Sequence, residues 1–170
     1  RSLADDIAAT GDKEWAAKIF IKAEKNAENS NDYINLANSI NVKLGDKKKS
    51  IELYERAQKK AEFWYDYKNL AESFYKYLSH KKKAEYFYRK AEKIAGESYQ
   101  YRKLAESIGV TLKDANWISG IYKKARDTAE KSNDLCILAD SVFEILGDID
   151  LIKIIYKQAE DKAEDSHDYK

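Results

Sequence analysis

Proline and methionine are absent from this chain, cysteine occurs once, histidine twice and glycine six times. Without proline nothing covalent interrupts a helix, and no proline-rich linker separates domains. The single cysteine, Cys136, excludes a disulfide within the chain and permits a reducing compartment, so a cytoplasmic location is expected. With no methionine even at position 1, the sequence reads as a processed product or an excerpt. No apolar run approaches the ~20 residues of a membrane-spanning helix, so no membrane span is expected. The opening RSLADDIAATGDKEW also lacks the apolar stretch of a signal peptide. An excess of one charge is missing as well, since 31 Lys and Arg stand against 30 Asp and Glu. That balance gives no net field to attract a phosphate backbone, so no nucleic-acid partner is expected.

Catalytic constellations are equally scarce. There is no HExxH, no CxxC, no Asp-rich calcium loop and no glycine-rich phosphate loop. His80 and His167 both fall in turn regions, and no histidine neighbours Cys136 in sequence. His80 reads as a replacement for a turn aspartate, and Cys136 as a small side chain on a helix. The expectation is a chain that is not an enzyme and holds neither cofactor nor metal.

What the sequence does contain is repetition, the signature of a stacked array. Leu-Ala recurs at Leu3, Leu36, Leu70, Leu104 and Leu138, with spacings of 33, 34, 34 and 34. An aromatic follows eighteen residues after the leucine, at Tyr54, Tyr88, Tyr122 and Tyr156, and one residue sooner in the first unit, at Phe20. Two alanine columns come next, Ala23, Ala57, Ala91, Ala125, Ala159 and then Ala27, Ala61, Ala95, Ala129, Ala163. Within a unit the apolar spacing is helical, as in Tyr33, Leu36, Ala37, Ile40 and Leu44. Gly45-Asp46 then ends one helix and caps the next, a signal repeated at Gly11-Asp12 and Gly147-Asp148. A second helix is predicted from about Lys47 to Ala61, and segments such as Ser30-Asn31-Asp32 cap the following first helix. Each unit is therefore helix, turn, helix, turn. A lone hairpin cannot bury its apolar face, but stacked hairpins can. The tyrosine column is predicted to fill the space between helices that the small alanines bring close. Trp15 and Trp117 share a column and are predicted to pack. The aromatic run Phe63-Trp64-Tyr65, in a turn, either packs locally or forms a sticky edge for a partner.

This unit resembles the tetratricopeptide repeat. Ala16-Phe20-Ala23 and Ala84-Tyr88-Ala91 match that family's second-helix pattern, and Ser50-Tyr54-Ala57 matches with Ser for Ala. Ile118-Tyr122-Ala125 and Ile152-Tyr156-Ala159 depart from it with Ile at the first place, and the family's closing proline is missing throughout. Sel1-like and half-a-tetratricopeptide repeats are related alternatives, and pentatricopeptide repeats, which bind RNA, have a similar length. The resemblance covers the whole chain. It implies an all-α fold, an α-α superhelix (solenoid) of about five hairpins forming one domain over 1–170. The units run approximately over 3–35, 36–69, 70–103, 104–137 and 138–170. Both ends fall inside a unit, so further repeats are expected in a longer parent.

The resemblance further implies a concave groove lined by the first helices, where a peptide or partner protein docks. Its candidate lining is Asn38, Asn41, Tyr65, Lys68, Glu72, Tyr75, Tyr99, Arg102, Glu106, Asp140 and Phe143. Two readings of this face are open. One is an acidic ladder with aromatic neighbours suited to a basic peptide. The other is a solvated face in which Lys68–Glu72 and Arg102–Glu106 are i,i+4 pairs worth ~0.2–0.5 kcal/mol each. Asn38, Lys68 and Arg102 are the right types for the family's carboxylate clamp, but Glu72 and Glu106 sit where a carboxylate would approach, so no clamp is expected. The function expected is a protein-interaction scaffold; the alternatives are a regulatory or targeting region of a larger enzyme and, further off, an RNA-binding solenoid. The fourth unit is expected to be the soft point, because Gly109 and Gly120 interrupt its helices and Lys113-Asp114 replaces the Gly-Asp turn. The glycines either allow close helix contact or form a hinge, and on the hinge reading Gly109→Ala is expected to firm the unit.

Overall fold

The computed structural model describes residues 13–165. Among these residues it contains nine helices and no strand: α1 (Lys13–Lys25), α2 (Ser30–Leu44), α3 (Lys47–Lys60), α4 (Trp64–Leu78), α5 (Lys81–Ile94), α6 (Ser98–Thr111), α7 (Ala115–Asp127), α8 (Ser132–Ile145) and α9 (Ile149–Asp165). The all-α hairpin array read from the repeats is therefore present, with α2, α4, α6 and α8 as first helices and the odd-numbered ones as second helices. The first helix expected around Leu3 lies outside the described residues. Two compact units divide the chain, Arg1–Phe87 and Tyr88–Lys170.

The repeated residues are the core. Leu36, Leu70, Leu104 and Leu138 are buried, as are Ala37, Ala71, Ala105 and Ala139 behind them. Phe20, Tyr54, Tyr88 and Tyr122 are buried on the second helices, together with Ala57, Ala91 and Ala125. Burying side chains of this size contributes roughly 1.5–3 kcal/mol each. In the first unit Phe74 lies between Tyr54 and Phe87, with ring centroids 5.0 and 5.4 Å away. Ser50 stands where two other units have alanine. It stays buried because its hydroxyl donates to the carbonyl of Ala37 or Asp46, at 3.0 and 2.8 Å.

The turns repeat as strictly as the core. Gly45, Ser79, Lys113 and Gly147 all adopt left-handed backbone, with φ of 70, 54, 57 and 63°. Here the helix stop survives the loss of glycine: Lys113 donates its N–H to the Ile108 carbonyl as Gly147 does to Val142. The following residue caps the next helix. Asp46, Asp114 and Asp148 accept from Lys49, Trp117 and Leu151 N–H groups at 2.9, 3.0 and 3.0 Å. His80 takes the same role through Nδ1, more weakly at 3.4 Å. At the other turns the cap precedes the predicted Ser-Asn-Asp. Asn29 accepts from Asp32 N–H, and the Asp32 carboxylate reaches back to the N–H groups of Glu28 and Asn29. Asp66 likewise binds the N–H groups of Glu62 and Phe63.

One expectation is corrected, and one choice between readings is narrowed. Trp117 is buried, but Trp15 is exposed. The two interior glycines also differ. A Cβ on Gly109 would lie 2.6 Å from Ile145 Cγ2, whereas a Cβ on Gly120 would meet nothing within 4 Å. Gly109 is therefore a contact surface on which α8 packs against α6, in line with the close-contact reading. Gly120→Ala should stabilise the chain by ~1 kcal/mol through helix propensity. Gly109→Ala should gain the same amount and lose about 1–3 kcal/mol to overpacking, so it melts at or below the parent. Thermal unfolding of the two variants checks this, and equal upward shifts would contradict it.

Candidate functional site

Built from the core outward, the face of the first helices is held in place by the buried tyrosines. The Tyr88 hydroxyl lies 2.7 Å from Ser107 Oγ, and that of Tyr122 lies 2.9 Å from Ser141 Oγ. Each bond joins a second helix to the first helix of the following repeat. Tyr54 is bonded to Ser73 in the same register and donates to Asn38 Oδ1 at 2.5 Å. Burial raises the Tyr54 phenol well above its usual range and pushes that of Tyr122 up to about 12. Tyr156 is different, being 44% exposed, with its hydroxyl only 3.5 Å from Asp140. These serines were not singled out from the sequence. Their signal is the Leu-Ala-x-Ser register of Ser73, Ser107 and Ser141, nineteen residues after each tyrosine.

Around this frame the candidate residues sort into two groups. Several are engaged with the protein itself. Asn38 accepts the Tyr54 hydroxyl. Lys68 binds Glu72 at 2.7 Å, and Arg102 binds Glu106 at 2.6 Å. Glu106 also takes Lys103 at 2.8 Å and the Ser141 hydroxyl at 3.0 Å, so a continuous chain runs from Tyr122 through Ser141 to Arg102. Burial disfavours the charged form of Glu106, but these hydrogen bonds and the Arg102 guanidinium outweigh it and hold the carboxyl below its ordinary value. Glu72 and Glu106 are thus members of ion pairs on their own helices, and the acidic ladder is neutralised at both.

The second group faces outward. Tyr65, Tyr99 and Phe143 are 42, 50 and 64% exposed, on α4, α6 and α8 respectively. Asp140 is exposed, while Asn41 and Tyr75 are half-buried, Asn41 with an amide nitrogen that has no hydrogen-bond partner. In the first unit the structure brings Asn38, Asn41, Tyr65, Lys68, Glu72 and Tyr75 onto the neighbouring helices α2 and α4. In the second it brings Tyr99, Arg102 and Glu106 onto α6, beside Asp140 and Phe143 on α8. Phe63 and Tyr65 stack at 5.3 Å with an interplanar angle of 10°, and Trp64 meets Tyr65 edge-on, so the aromatic run packs on itself and stays largely exposed.

The second helices carry a further set of contacts that the repeat pattern did not single out. Glu24 receives Lys49 and Arg56 at 2.9 and 2.7 Å, and Glu92 receives Lys124 at 2.7 Å. The Trp117 indole N–H donates to Glu92 at 2.8 Å, and the Arg89 guanidinium lies 3.6 Å over its ring. Among the described residues no group of three or more His, Cys, Asp or Glu could hold a metal ion. None of the helices is long and apolar enough to cross a membrane. Cys136 is a free thiol, half-buried. No protein-family model matches the chain, and no curated protein or solved structure matches it either.

Proposed function

We propose that this chain is a protein–protein interaction scaffold of the tetratricopeptide-like kind, binding a peptide or partner protein along a groove lined by its first helices. The observation that supports this reading is the exposure of Tyr99 and Phe143 on the neighbouring first helices α6 and α8 of the second unit, matched by that of Tyr65 on α4 of the first. The tyrosines that build the fold sit on the second helices and, except for Tyr156, are buried. An exposed aromatic ring contributes little to folding and much to a contact with another protein, where Tyr and Phe are enriched. Recognition then rests on these rings and on Asp140 rather than on Glu72 and Glu106, which their own Lys and Arg neighbours occupy. The near-zero net charge supports a protein partner over a nucleic acid. The lone Cys136 accords with work in the cytoplasm.

The test is selection from a displayed library of random peptides, followed by measurement of affinity for variants. Tyr99→Ala with Phe143→Ala should weaken a selected peptide by ~tenfold or more, as loss of interface aromatics does. Ile94→Ala, at an exposed position of the second helix α5, should leave it unchanged. Equal effects of the two substitutions would sink the proposal.

A further inference from the structure

The first unit contains an open cleft of ≈ 490 Å³ at the starts of α2 and α4. Its walls carry three carboxylates, Glu28, Glu62 and Asp66, against one cation, Lys60. Among the described residues neither Glu28 nor Glu62 takes part in an ion pair. The stacked rings of Phe63 and Tyr65 form another wall. Ser30 lines the cleft as well. It is only 2% exposed, and its hydroxyl has no hydrogen-bond partner. A buried hydroxyl without a partner costs free energy unless something else supplies one.

Helix starts ordinarily attract anions, but these two are already served. The N–H groups of Glu28 and Asn29 donate to Asp32, and those of Glu62 and Phe63 donate to Asp66. What remains in the cleft is acceptor capacity, negative charge and an aromatic face. An ammonium would satisfy the charge alone. A guanidinium satisfies all three, because it is planar, stacks on aromatic rings and directs donors to acceptors in its plane.

We infer that this cleft receives an arginine side chain of the partner, stacked on Phe63 and Tyr65 and paired with Glu28 and Glu62. The inference rests on the proposed reading of the first-helix face as a peptide-binding surface and names one chemical requirement of the peptide. Its probe is the blocked tripeptide acetyl-Gly-Arg-Gly-amide, titrated into the full ¹⁵N-labelled chain and followed by NMR. The expected result is a saturable shift confined to the amides of residues 28–31 and 62–69 and the Trp64 indole. The citrulline counterpart, neutral but of the same shape, should bind at least about tenfold more weakly, and the lysine counterpart about threefold to fivefold more weakly. The double variant Glu28→Gln, Glu62→Gln replaces two carboxylates that carry no side-chain contact of the fold, so it should retain the parent spectrum elsewhere while binding about tenfold more weakly.

A citrulline or lysine peptide that binds as tightly as the arginine peptide would overturn the assignment. So would an undiminished affinity in the double variant, or the absence of any saturable shift. The library selection reads Tyr99 and Phe143, which lie outside the cleft. A failed arginine titration therefore leaves that result standing, and a failed selection is recognised independently of this one.

Discussion

Tyr122→Ala should destabilise the chain by about 3–5 kcal/mol, the range for removing a fully buried large aromatic. The ring has no exposed surface and is among the largest fully buried side chains of the second unit. Its hydroxyl reaches Ser141 on the next first helix, and Ser141 in turn donates to Glu106. Truncation thus opens a cavity between repeats and removes one end of a hydrogen-bond chain at the same time. Tyr122→Phe separates the two effects. It keeps the ring and should cost only about 1 kcal/mol, because Ser141 retains its bond to Glu106. Thermal unfolding of both variants checks the ordering. A Phe variant as unstable as the Ala variant would mean that the hydroxyl, not the ring, carries the contact.

A loss of similar size, about 3–5 kcal/mol, is expected for Trp117→Ala. Trp117 is nearly buried, lies edge-on to Tyr88 at 6.4 Å, stacks under Arg89 and donates to Glu92. Trp15 occupies the same repeat column but is 53% exposed, so Trp15→Ala should cost markedly less than Trp117→Ala. Denaturant titration of the two variants, each followed by circular dichroism, makes the comparison. Comparable losses would show that the column sets the role of the residue; the structure says its neighbours do.

The contrast between those tryptophans shows what repetition reveals and what it hides. Positions filled identically in every unit, such as Leu70, Ala71 and Ala91, were legible because one residue type satisfies one environment wherever the unit recurs. Trp117 is packed by Glu92 and Arg89, which belong to other columns, whereas Trp15 in the same column is half exposed. A column alone cannot show that. Gly109 left two readings open for a related reason. Its role depends on Ile145, which lies in a different column of the next unit, so no single-unit comparison pairs the two. Lys113 carries the opposite lesson. Its side chain gives no turn signal, yet the register with Gly45 and Gly147 places it in the left-handed position they occupy.

Of the groove candidates, the i,i+4 pairs were legible because helix geometry fixes them. The exposure of Tyr99 and Phe143 was expected only through the resemblance, and the engagement of Asn38 was not legible, since it depends on which way a neighbouring helix faces. The Glu28–Glu62 cleft carried no motif at all. It arises because α2 and α4 pack side by side and bring two otherwise ordinary turn segments together.

The outward face of the first helices is tested most directly by mapping where a library-selected peptide touches the labelled chain in solution. Amide shifts should cluster on the first helices, at Tyr99, Arg102 and Glu106 of α6 and at Asp140 and Phe143 of α8. The exposed positions of second helices, Ile94 on α5 and Ile154 on α9, should remain unmoved. Shifts concentrated on those second-helix positions, with α6 and α8 silent, would contradict the account.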